Sequence, residues 1–184
     1  MPEHWLHRRW CEILGLDPKI SKEVDRVIDR REAHDIIKRV CNVGYLCVFL
    51  PMVLRGKLDP IPLFKSIKRG YPPELAHTLD KHKMALLTWR EIYDNFGREG
   101  LEAAIYHIAL DYIEDCTLQR FSKEEAKKRL ERRLAFLLEC LDEEGFVEAS
   151  KIEQKLHEHF DDIYEEILRI CSVDRYRARR RTQS

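Results

Sequence analysis

Pro73-Glu-Leu-Ala-His-Thr-Leu-Asp-Lys-His-Lys-Met-Ala-Leu-Leu-Thr-Trp-Arg-Glu-Ile-Tyr-Asp-Asn-Phe96 is the stretch whose pattern decides the fold. Within it Leu75, Leu79, His82, Leu86, Trp89, Tyr93 and Phe96 recur at alternating spacings of four and three. That is the period of a helix turning one face toward other helices. No segment alternates apolar and polar residues long enough to argue for a substantial sheet. The expected fold class is therefore all-α, a compact multi-helix bundle with a C-terminal antiparallel helical hairpin.

Working outward, Gly97 and Gly100 are expected to end this helix and start another that buries Leu101, Ala104, Ile105, Ile108 and Tyr112 and closes near Thr117. Upstream, a first helix opens at Pro2 and stops at Gly15. A second runs from Ser21 through Cys41 into the apolar run Val43 to Leu54, ending near Pro51. Residues 55–62 read as a loop, and a short helix spans Leu63 to Arg69. Downstream, Ser122 with Glu125 and Ser150 with Glu153 have capping-box spacing, which places two more helix starts. Their stripes, Ala126 to Leu141 and Ile152 to Ile170, are joined through Gly145-Phe146 and favour antiparallel neighbours. The expected organisation is a helical core over 1–120, a hairpin over 121–174 packed on it, and a basic tail over 175–184 that frays.

Thirty-three basic residues balance thirty-three acidic ones in 184 residues, so no global field draws the chain to nucleic acid or an anionic membrane. The run from Val43 to Leu54 is shorter than the roughly 20 residues a bilayer crossing needs. The first residues lack a signal-peptide pattern, and a cytoplasmic location with no membrane partner is the expectation. Six scattered cysteines form no CxxC pair and read as buried thiols. Scarce Asn and Gln beside abundant Lys, Glu and Arg resemble the usage of heat-adapted proteins, in which intracellular disulfides do occur.

Candidate chemistry starts from His34-Asp35, a neighbouring imidazole and carboxylate able to share a divalent metal. His82 lies in the apolar seam, and His107, Asp111 and Asp115 follow at spacings of four on the next helix. A histidine near the N-terminus, then His34-Asp35, then His77 or His82, then Asp111 resembles the ligand order of the HD-domain metal phosphohydrolases. The resemblance implies His34, Asp35 and Asp111 as ligands, with His82 or His107 as a further ligand or acid-base group, and a metal-activated water attacking phosphate. The alternative for the same residues is a structural network of partly buried histidines and ion-paired carboxylates. His157 and His159 stand two apart on a helix, hence on different faces, and 140–151 lacks the charged ligands of a calcium loop. Phosphate-binding loops, nucleophile elbows and zincin motifs are missing from the sequence.

Arg175, Tyr176, Arg177, Arg179, Arg180 and Arg181 form a positive segment able to meet phosphates, with Tyr176 available to stack. Asp161, Asp162, Glu165 and Glu166 oppose it. Because the informative residues form apolar stripes and complete no active-site motif, the residues favour a non-catalytic interaction or assembly subunit. It would dock an apolar helix face on a second copy or another protein and need no cofactor. A divalent metal enters only with the phosphohydrolase reading, and nucleic acid only with the arginine-rich segment.

Overall fold

A computed structural model of the chain describes residues 4–30 and 36–181. Among these residues the structure is all-α, with eight helices: α1 (His4–Ile13), α2 (Pro18–Asp29), α3 (Arg39–Asn42), α4 (Gly44–Leu54), α5 (Pro60–Lys68), α6 (Pro73–Leu118), α7 (Lys123–Glu143) and α8 (Ala149–Arg181). None of them is long and apolar enough to cross a membrane.

The helix starts follow their local chemistry. Asp17 Oδ1 accepts the Lys19 N–H at 2.7 Å, and Asp59 Oδ1 accepts that of Ile61 at 2.9 Å, each followed by a proline in the first turn. These caps begin α2 and α5 three residues before the Ser21 and Leu63 starts expected from the apolar pattern alone. Ser122 caps α7 as its spacing predicts, its hydroxyl accepting from Glu125 N at 3.2 Å. Ser150 does not mark the start of α8. That helix begins at Ala149, whose N–H goes to Asp142 Oδ1 at 2.9 Å.

Three further expectations change. Where one helix from Ser21 to Cys41 was expected, among the described residues α2 ends at Asp29, residues 36–38 are not α-helical and the short α3 begins at Arg39. In α4 the helix continues through Pro51 to Leu54. The missing proline N–H removes one bond, while burial of Leu50, Val53 and Leu54 holds the turn in place. The arginine-rich segment continues as backbone helix to Arg181, where fraying was expected.

The architecture centres on α6, which packs against every other helix. Its 46 residues are divided at Gly97, whose φ of 59° and ψ of −144° lie in a region essentially reserved for glycine. The two halves differ in character. Before the break, Ala85, Leu86, Trp89 and Ile92 are buried and the other face is polar. After it, Leu101, Ala103 to Leu110 and Ile113 are all buried. A helix apolar nearly all round belongs at the centre of a bundle. His107 and Asp111 sit within that buried half, so each must find polar partners on the surrounding helices.

On the outside, the first turns of α7 meet the middle of α8. Lys123 reaches Glu165 at 3.3 Å, and Lys127 lies 3.5 Å from His157 Nε2. The six cysteines are free thiols, four of them buried.

Candidate metal centre

The partners of His107 and Asp111 come from α1 and α2. His7 shares the buried face of α1 with Trp10 and Cys11, and Leu14 just beyond the helix is buried with them. Asp25 shares that of α2 with Ser21 and Ile28. The packing of these two helices on α6 brings four ionisable side chains together, each less than 5% exposed.

His107 Nδ1 lies 2.9 Å from Asp25 Oδ1 and 3.0 Å from His7 Nδ1, with the two rings edge to face. On the far side, Asp111 Oδ2 is 3.4 Å from His107 Nε2 and Asp111 Oδ1 is 3.4 Å from His7 Nε2. Lys38 closes the edge, its ammonium 3.3 Å from Asp111 Oδ2 and 3.6 Å from Asp115 Oδ2.

Two imidazoles this close cannot both be charged without cost, and their surroundings separate them. Burial dominates at His7 and lowers its pKa, with the repulsion of His107 adding to the effect. Burial also opposes the charge on His107, but its hydrogen bonds and attraction to Asp111 and Asp25 outweigh it and raise its pKa to about 9. Asp111 is buried too. Its contacts with His107 and His7 overcome that burial and hold it ionised well below the usual carboxylate range. The assignment that follows is a protonated His107 whose one Nδ1–H is shared between Asp25 Oδ1 and the Nδ1 lone pair of a neutral His7. Asp25 and Asp111 then balance His107 and Lys38.

This charge pattern sets the pH response of the metal-free protein. His107 has a folded pKa of about 9 against 6.5 for a free imidazole, so its contribution is complete below pH 6.5 and disappears as pH rises through 9. His7 acts in the opposite sense, stabilising above pH 6.5 and losing that contribution as pH falls. Urea unfolding in the presence of a chelator should show a loss of up to about 3 kcal/mol between pH 6.5 and 9.5. His107→Gln should flatten that slope relative to wild type. An unchanged slope in the variant would assign the pH response to other groups.

The same arrangement suits a metal ion. Ligand atoms of His7, His107 and Asp111 lie within 4.8 Å of one another. Asp25 Oδ2 is buried without a hydrogen-bond partner, which a role beside a metal ligand would explain. Imidazole nitrogens mixed with carboxylate oxygens suit zinc, manganese, iron, cobalt or nickel better than calcium, which favours oxygen alone.

Of the candidates taken from sequence, His107 and Asp111 belong to this centre, and Asp111 is buried at its middle. His82 lies elsewhere, its Nδ1 2.5 Å from Tyr45 Oη, and burial lowers its pKa. His34 and Asp35 lie outside the described residues. Sequence reasoning expected a histidine near the N-terminus without singling out His7, and it missed Asp25. The available signal was their place at helical spacing among Trp10 and Leu14, and among Ser21 and Ile28, where a charged residue on a core face needs a partner. No protein-family model matches the chain, and no match was found among curated proteins or solved structures.

Proposed function

We propose that this chain holds a divalent transition metal through His7, His107 and Asp111 and acts as a metal-dependent phosphohydrolase. The observation that supports this reading is the convergence of those three side chains with Asp25, from three separate helices, inside an otherwise apolar core. A bound metal of this class would supply Lewis acidity and an activated water. The chain's own residues bind and orient: Asp25 positions the His107 imidazole through Nδ1, and the buried wall around them excludes bulk water. The proposal extends to His34 and Asp35 as ligands, the positions the HD-domain resemblance implies.

Elemental analysis of the full chain after growth with zinc, manganese, iron, cobalt and nickel tests the reading. We expect close to one metal per chain, lost in His107→Ala and in Asp111→Asn, and metal-dependent hydrolysis of a simple phosphomonoester. Metal loss in His34→Ala would bring that residue into the set. Metal-free protein from every supplemented growth would overturn the reading.

A second reading, association through an apolar helix face, is favoured by a different observation. Tyr45, Val48 and Met52 stand three and four residues apart on α4 and are 43%, 52% and 42% exposed. Sedimentation over a concentration series should then show a dimer or higher oligomer that Val48→Glu disperses. A monomer at every concentration would remove this reading. Trp10 and Trp89 are buried and add nothing to such a face.

A further inference from the structure

We propose that a cavity of about 290 Å³ bordered by α3, α6 and α7 is a binding site for a phosphate group. Its lining includes Lys38, Arg39, Asn42, Tyr112, Asp115 and Arg133, three cations against one carboxylate. The cations are not equivalent. Lys38 already balances Asp111 and also touches Asp115, so it adds no free positive charge to the wall, and Asp115 offsets part of what the two arginines supply.

Arg39 and Arg133 carry the excess. Arg39 Nε is buried with no hydrogen-bond partner, a costly state for a charged donor unless an acceptor arrives from the cavity. The charge of Arg39 is felt locally: after burial, it is the next cause lowering the pKa of His82. Arg133 sets its guanidinium carbon 5.4 Å from the centroid of the Tyr112 ring. That contact uses the guanidinium face and not its N–H groups.

Two arginines presented from different helices match the chemistry of a phosphate dianion. Its oxygens accept several charge-assisted hydrogen bonds at once, and a guanidinium fork fits them geometrically. Lys38 lines the cavity and also touches Asp111, which places the bound phosphate next to the His7, His107 and Asp111 centre. That this phosphate is the reacting group of a substrate rests on the metal reading above; the binding itself does not.

The test is calorimetric titration of inorganic phosphate into the full chain at low ionic strength, with chloride at matched ionic strength as control. Wild type should bind phosphate saturably and chloride not at all. Arg39→Met and Arg133→Met should each weaken phosphate binding about tenfold or more, with metal content unchanged. Arg39→Lys, which keeps the charge and loses the fork, should fall between. Circular dichroism and unfolding midpoints identify any variant that fails to fold, and the Lys variant and the substitution on the other helix then carry the comparison.

Absence of saturable binding by wild type, or wild-type affinity in both Met variants, would overturn the proposal. The two readings fail separately. Phosphate binding without metal would leave the cavity standing alone, and metal without arginine-dependent phosphate binding would leave only the centre.

Discussion

Asp111→Ala should lower the unfolding free energy of the metal-free protein by about 3–5 kcal/mol, the cost of leaving buried charges without their partner. Asp111 is 2% exposed and lies between His7, His107 and Lys38, with both carboxylate oxygens engaged at 3.3–3.4 Å. Its removal leaves the His107 imidazolium with Asp25 alone and deprives Lys38 of its buried partner. Asp111→Asn, which preserves shape and removes charge, should recover only a minority of the loss. Urea unfolding of the three proteins in a chelator is the measurement. A loss below about 1 kcal/mol in the Ala variant would show that the four side chains are not a coupled buried network.

Trp89→Ala should cost a similar amount, about 3–5 kcal/mol, for a different reason. Trp89 is fully buried in the first half of α6, and its indole N–H donates to the Ile37 carbonyl at 3.3 Å. The substitution opens a large cavity in the helix that touches all the others, and it takes from that carbonyl one of its two donors, leaving the Val40 N–H at 3.4 Å. Trp89→Phe separates the two effects, retaining much of the packing while losing the hydrogen bond, at about 1–3 kcal/mol. Thermal unfolding followed by circular dichroism should order the proteins as wild type, Phe and Ala. A near-neutral Ala variant would mean that the first half of α6 does not contribute to the core.

Much of the bundle was legible because helix period and capping are local. Ser122 and Glu125 mark the start of α7 through atoms three residues apart, and the break at Gly97 follows from one residue's conformational freedom. The errors also have local causes. Asp17 and Asp59 were outside the apolar stripes, yet their carboxylates set where α2 and α5 begin. Ser150 lost its role to Asp142, a competing acceptor seven residues away. Pro51 failed to end α4 because burial of Val53 and Leu54 outweighs one missing hydrogen bond.

The candidate centre was only half legible. His107 and Asp111 are a helical pair four residues apart and could be paired from sequence. His82 lies on an apolar stripe of the same long helix, but the turn of its backbone directs it to Tyr45. His7 is 100 residues from His107, and Asp25 is 82 residues from it. No local rule connects such distances.

What the amino-acid order determined alone was the all-helical class, the break at Gly97 and the apolar faces, since each depends on backbone chemistry and periodicity within a few turns. Which polar side chains meet was decided only when α1 and α2 packed on α6. Burial then made their separate charges a single network, because inside an apolar core each could remain charged or polar only against the others.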